Sequence, residues 1–176
     1  MNFSGPSFLV FAKKLGLSLS TLRKNQPQLE NIPYESECAF SGSLNASIDG
    51  SNQAVLYVKG SPEKILESST TALLAGKVEP IDAASIQTAF EQLASDGYRV
   101  LALAQRQASA NNAQAQLSEM TFLGLVAMMD PVRAEAHNAI KRCRDGGVDV
   151  AMITGDHPAT AKAIALELEL CEANDR

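Results

Sequence analysis

At Asp130 the apolar pattern of this chain changes kind, and the two patterns require different sheets. Upstream, the runs Glu37 to Ile48 and Gln53 to Lys59 read as strands joined by Asp49-Gly50, a turn pair whose backbone matches the twist of a hairpin. Downstream, the residues read as a helix from Pro131 to Arg144, a Gly146-Gly147 stop, a strand from Val148 to Ile153 and a helix from Ala159 to Leu170. Strands alternating with helices are the pattern of a parallel sheet. The expected fold is therefore an α+β domain with an antiparallel sheet and flanking helices over residues 1–129, followed by a partial α/β segment over residues 130–176.

Within the first part, Leu9, Ala12, Leu15 and Leu19 predict a helix over Phe8 to Leu19, with Gly16 at a helix end or turn. Polar residues with Pro27 and Pro33 read as a connection, and Ala54 to Val58 as a strand. Ser61 is an N-cap, Pro62 fills the first helical position and Glu63 adds charge to the first turn of a short helix ending near Ser68. Asp82 caps a second helix, whose stripe of Ile86, Ala89, Phe90 and Leu93 stops before Gly97. Strands are expected at Tyr98 to Gln105 and Thr121 to Met128, separated by an irregular loop from Ala108 to Gln116.

Composition excludes several classes. Hydrophobic residues make up 45% of the 176 and charged residues 20%, which fits a chain with a buried core and not a disordered one. A net charge of −5 argues against general polyanion or nucleic-acid binding, so any phosphate site must be local. Cys38, Cys143 and Cys171 are odd in number and widely spaced, which indicates neither a disulfide framework nor a zinc site. The apolar stretch Met120 to Met129 is shorter than the roughly 20 residues of a membrane-spanning helix, and no signal peptide is expected.

A strand ending in Lys59-Gly60 before a helix capped by Ser61 suits a phosphate, since glycine permits close approach, the helix start offers amides and lysine supplies charge. Taken alone, such a turn is more often a plain connection. Thr154-Gly155-Asp156 follows Val150 to Ile153, at the carboxyl end of a parallel strand, where open α/β sheets bind ligands. Tyr34 reads either as a stacking ring or as a half-buried residue before a strand, and Arg99 either as a phosphate contact or as a solvated cation. His137 and His157 have no second ligand at metal spacing; His157 precedes the Pro158 that begins a helix, and no metal site is expected.

Lys59-Gly60-Ser61-Pro62-Glu63, Asp130-Pro131-Val132-Arg133 and Thr154-Gly155-Asp156-His157-Pro158, in that order, resemble the nucleotide-binding domain and the start of the phosphorylation domain of P-type cation-transporting ATPases. The resemblance covers nearly the whole chain, and its look is nearest calcium-type and related bacterial pumps. It implies a nucleotide-binding domain at 1–129, incomplete at its start, and a partial, haloacid-dehalogenase-like phosphorylation domain at 130–176. It also implies that Tyr34 stacks on adenine, that Lys59 and Gly60 lie in the nucleotide pocket and that Arg99 reaches toward the phosphates. Asp130 and Arg133 would form the hinge, and Thr154, Gly155 and Asp156 the phosphoryl site. Phe3-Ser4-Gly5-Pro6 stands where the family has an adenine-reading carboxylate, and Ala39 where it has a second lysine.

The implied ligands are ATP and, in the intact pump, Mg²⁺. The implied partners are the actuator, phosphorylation and membrane domains, this segment being a cytoplasmic domain of an integral membrane protein. The Asp-Lys-Thr-Gly-Thr segment that becomes phosphorylated is absent from these residues, so this chain alone is expected to bind nucleotide and not hydrolyse it. Two other readings stay open. A haloacid-dehalogenase-like phosphatase would need an Asp-x-Asp motif, which does not occur, and a non-catalytic interaction module would keep the fold without nucleotide contacts. An unpaired strand at Val148 to Ile153 would invite self-association through the partial phosphorylation domain.

Overall fold

A computed structural model of the chain describes residues 4–48, 53–109, 117–129 and 132–171. Its elements, in chain order, are α1 (Ser4–Lys14), α2 (Leu19–Asn25), β1 (Gln28–Glu35), β2 (Phe40–Ala46), β3 (Gln53–Gly60), α3 (Pro62–Ser68), β4 (Ser69–Leu74), β5 (Lys77–Pro80), α4 (Ala83–Ser95), β6 (Arg99–Ser109), β7 (Met120–Met128), α5 (Ala134–Asp145) and α6 (Pro158–Glu167). The seven strands form one sheet in the order β1-β2-β3-β6-β7-β4-β5. The β1–β2, β2–β3, β3–β6 and β4–β5 pairs are antiparallel, and β4 lies parallel to β7. Among the described residues no helix is long and apolar enough to cross a membrane.

The chain divides into two compact units, one of the residues up to Ile81 with Ala102–Gly124, the other of Asp82–Leu101 with the residues from Leu125 on. In the first unit β3 is an interior strand of the sheet. Its residues pair with β2 on one side and β6 on the other, and Ala54, Val55, Leu56 and Val58 are all buried. At its end Phe40, Gly60 and Ala102 stand in one row across three strands. A Cβ on Gly60 would come within 2.7 Å of the Ala39 carbonyl oxygen and 2.8 Å of the Phe40 Cβ, so the turn before β2 closes on it only because no side chain is there. The same Ala39 carbonyl accepts from the Ser61 amide at 3.0 Å, and the Ser61 hydroxyl accepts from the Lys64 amide at 3.3 Å. Strand end, turn and helix start are thus one junction, with Pro62 at the first helical position as expected and Ile65 of α3 fully buried.

In the second unit the core is Phe90, Ala94 and Val100, with Leu93, Tyr98, Leu125 and Ala159 packed against it. Asp82 caps α4, accepting from the Ser85 amide at 3.1 Å and the Ser85 hydroxyl at 2.7 Å, and these bonds lower its pKa below the ordinary 3.8.

Four helices end alike. After α4, Gly97 (φ +84°) donates to Ala94 and Tyr98 donates to Leu93, a Schellman closure whose flanking apolar pair, Tyr98 and Leu93, packs on the Phe90 core. Gly16 after α1 and Gly147 after α5 repeat the pattern, with Leu17 donating to Ala12 and Val148 to Cys143. After α6 the left-handed position is Glu169 (φ +56°), followed by a Leu170 amide bonded to Ala165.

The structure corrects the sequence reading at several places. Gln28–Glu35 is a strand where a connection was expected; as the sheet edge, β1 tolerates Pro33, which has no amide to donate. β4 and β5 form a hairpin the sequence reading did not place, turning through Ala75 (φ +48°) and Gly76 (φ +81°). α2, capped by Ser18, is a separate helix beyond Gly16. The helix expected to run to Leu170 stops at Glu167 because Glu169 turns left-handed without a glycine to announce it. β6 continues to Ser109, past the expected loop start at Ala108, and most of that loop lies outside the described residues, as does Asp49-Gly50.

The largest correction concerns Val148 to Ile153, which is not a strand. Among the described residues all seven strands of the sheet come from before Met129 and none pairs with this run, and a lone strand has no stability of its own. Ile153 is 98% exposed. Of the expected β-α-β-α run, the first strand is β7 and both helices are present, but the segment that joins the helices carries no regular secondary structure. The argument for self-association, which needed an unpaired strand edge, loses its basis with it.

Three substitutions test this account. Gly60→Ala is expected to destabilise the chain by about 1–3 kcal/mol, the usual cost of forced overpacking, whereas Glu169→Gly should stabilise it by about 1 kcal/mol by relieving a left-handed non-glycine residue; urea unfolding of each variant reads both. For Asp82, the lowered carboxyl pKa means that the cap's contribution is complete above the ordinary carboxylate value and is lost as pH falls below that value and through the lowered one of the folded chain. The stability difference between the parent chain and Asp82→Ala, followed by thermal unfolding, should shrink as the solution is acidified below about pH 4.

Candidate functional site

Lys59 is the penultimate residue of β3, paired to Ser41 and to Leu103, so its backbone is fixed from both sides. Its ammonium lies 5.1 Å from the centroid of the Phe8 ring, over the ring of a residue on α1. Burial pulls the Lys59 pKa below its ordinary value, because a half-buried ammonium gives up hydration. Gly60, next along, stands at the close approach described above. Tyr34 sits near the end of β1, beside Glu35, which pairs with Phe40, which pairs with Gly60. The register therefore sets Tyr34 and Lys59 at the same end of the sheet, one strand apart, and Tyr34 is half exposed. This end offers an aromatic face, a fixed cation and the amides of a helix start whose side-chain cap is Ser61, a combination suited to a ring bearing anionic groups.

The second unit holds another cluster. Thr154 donates from its hydroxyl to the Asp156 Oδ2 at 2.8 Å and accepts from the Asp156 amide at 3.1 Å, which folds Thr154-Gly155-Asp156 into a tight polar turn. Arg99 lies with its Nε 3.8 Å from the Asp156 Oδ1, and the Arg99 side chain is 59% exposed. So open and long a pair adds little stability, and both groups stay accessible to a ligand. A Cβ on Gly155 would meet nothing within 4 Å, so the turn is open at that position. The turn is held beside Arg99 by α6. The Thr160 hydroxyl, buried, donates to the Tyr98 carbonyl at 3.0 Å, and the His157 ring meets Phe90 edge-on at 5.0 Å.

The expected site residues thus fall into two groups: Tyr34, Lys59 and Gly60 in the first unit, and Arg99, Thr154, Gly155 and Asp156 in the second. Arg133 is the N-cap residue of α5 and makes no side-chain cap bond, whereas Asp130 lies outside the described residues. His157 caps α6, its Nδ1 accepting from the Ala159 amide at 3.2 Å. Among the described residues no cluster of three His, Cys, Asp or Glu side chains could hold a metal.

Two structural contributors escaped sequence reasoning. In the sequence Phe8 reads only as part of a helix, and nothing in its spacing signals that Lys59 lies over its ring. Thr160 is a small polar residue in an apolar stripe, the one available hint of a buried bond. A shallow cleft of 410 Å³ between Leu9, Val10, Lys13, Leu17, Leu19 and Ser20 includes none of the expected residues.

Known proteins resemble this chain over most of its length. The family model for the P-type ATPase cytoplasmic domain N matches residues 4–135. The chain is 36% identical to the cation-transporting ATPase pma1 of Synechocystis sp. over 96% of its own length and 19% of that protein's. It is 33% identical to the potassium-transporting ATPase alpha chain 2 of Rattus norvegicus, over 98% of this chain and 18% of the relative. Against the sodium/potassium-transporting ATPase subunit alpha-2 of Homo sapiens the identity is 34%, over 84% of this chain and 16% of the relative. The chain spans less than a fifth of the length of these curated relatives. With three quarters of its residues matched by the family model, the chain belongs to the P-type ATPase cytoplasmic domain N family.

Proposed function

We propose that this chain captures ATP for a P-type cation-transporting ATPase, a pump that couples ATP hydrolysis through an aspartyl-phosphate to ion movement across a membrane. The observation that carries this reading is the junction at the end of β3, where a lysine fixed by two neighbouring strands and a glycine with no room for a side chain lead directly into a capped helix start. Tyr34 supplies the stacking face for adenine, Lys59 and Gly60 line the pocket, and Arg99 meets the phosphates. In this reading residues 1–129 are the nucleotide-binding domain and residues 130–176 a part of the haloacid-dehalogenase-like phosphorylation domain, a division supported by the end of the family match at residue 135. The family resemblance supports assigning Asp130 and Arg133 to a hinge in this reading.

Thr154, Gly155 and Asp156 are proposed to receive the phosphoryl group, the threonine hydroxyl and turn amides donating to its oxygens. That role requires the Thr154 hydroxyl to turn away from the Asp156 carboxylate it now contacts. Phosphoryl transfer depends on positioning and on neutralising charge, and these residues supply positioning. The described carboxylates do not form a metal-holding cluster, so Mg²⁺ is assigned to the nucleotide's phosphates and to other parts of the pump. The nucleophilic aspartate is likewise assigned elsewhere, since no Asp-Lys-Thr-Gly-Thr occurs in these 176 residues. The chain by itself is proposed to bind ATP without hydrolysing it, as a cytoplasmic part of a membrane protein whose partners are the pump's remaining domains.

An amide chemical-shift titration of the chain with ATP tests this. Shifts are expected at Tyr34, Lys59 and Gly60 and at Arg99, with Lys59→Ala weakening binding by about tenfold, the value of one lost charged contact of roughly 1.5 kcal/mol. No shifts at millimolar ATP in the unsubstituted chain would instead favour a non-catalytic module that keeps the fold.

A further inference from the structure

Phe8 lies on the inward side of α1. It and Ala12, one turn apart, are partly buried, while Leu9, Val10 and Phe11 between them are exposed. The partly buried ring is the one over which the Lys59 ammonium stands, 5.1 Å from its centroid. Because β3 is paired on both sides at Lys59, the backbone there is fixed, and the conformation of the four-carbon stem sets where the charge sits. Such a stem carries large rotamer freedom that a ligand must remove on binding. An aromatic face within about 6 Å attracts the ammonium through the ring quadrupole and removes part of that freedom beforehand. Desolvation also disfavours the charged form of Lys59, which gives a contact favouring that form more weight.

We propose that Phe8 is a positioning residue for the nucleotide site, its ring holding the Lys59 ammonium where an incoming nucleoside triphosphate meets it. The proposal rests on the reading of Lys59 as a nucleotide contact. Phe8 itself touches no ligand in this account; it acts through Lys59.

The test uses the 176-residue chain with ¹³C-labelled lysine, in the parent and in Phe8→Leu, Phe8→Tyr and Phe8→Trp. Ring-current displacement of the Lys59 ε-methylene protons is expected in the parent, lost in Phe8→Leu and kept in the two aromatic variants, a signature that α1 packing alone would not produce. In an ATP titration of the same samples, Phe8→Leu should bind about three- to fivefold more weakly, as expected for one cation–π contact, and Phe8→Tyr should restore the parent affinity. If Phe8→Leu leaves the Lys59 signals in place, the ring does not hold the ammonium and the proposal falls. If those signals move while ATP affinity stays at the parent value, the contact exists but positions nothing, and the proposal falls on that ground. A parent chain that binds no ATP overturns the nucleotide reading and this proposal together, whereas tight ATP binding shared by the parent and Phe8→Leu overturns this proposal alone. Should Phe8→Leu lose its folded amide spectrum, the comparison of Phe8→Tyr and Phe8→Trp with the parent decides, since both must keep the displaced Lys59 signals and bind ATP as the parent does.

Discussion

The first unit depends on one close approach, that of the Ala39–Phe40 turn to Gly60. A buried strand paired on both sides has no freedom at its end unless a missing side chain provides it, and Gly60 is where that occurs. The carbonyl drawn in by this approach receives the Ser61 amide, which fixes the start of α3 and with it the placement of fully buried Ile65. Position in the strand, the cap and the core are therefore coupled. A lysine one residue before such a junction inherits a fixed origin for its side chain, which is the physical content of the Lys-Gly-Ser-Pro-Glu run.

The second unit is organised by a different device, helix closure. The Schellman ending after α4 turns the chain so that Tyr98 and Leu93 both reach the Phe90 core, and the Tyr98 carbonyl is left to accept from buried Thr160 of α6. That bond, with the His157 edge contact, sets the turn at Thr154-Gly155-Asp156 beside Arg99. The ion pair itself is too exposed to organise anything; the apolar packing behind it does the organising.

Much of this was legible because the residues concerned carry local physics. Ser61-Pro62, Asp82, Gly97 and Gly146-Gly147 act through backbone geometry within a few positions, and the helices they start or stop are found where they imply. What escaped reading depends on neighbours that sequence distance hides. β1 is a strand because β2 lies beside it, despite Pro33; Val148 to Ile153 has the composition of a strand but no neighbour to pair with. Glu169 takes a glycine's conformation without being one, so α6 reads longer than it is. For the site, the three motifs were visible as residues, whereas Phe8 and Thr160 enter only through tertiary contact.

The order of strands in the sheet carries a consequence for how the chain reaches this structure. β3 and β4 are separated in sequence by one short helix, yet β6 and β7 lie between them. β4 finds its parallel partner only when β7 has arrived, with the Thr71 and Thr121 hydroxyls meeting at 3.0 Å across 50 residues of chain. Hairpins such as β2–β3 and β4–β5 close short loops and form on microsecond timescales, roughly 1–10 μs, whereas contacts across long loops must wait for the entropy of closure to be met. The β4–β5 hairpin is therefore expected to form before its third strand arrives, and the two seams between sequence-distant strands, β3–β6 and β4–β7, to close after the hairpins.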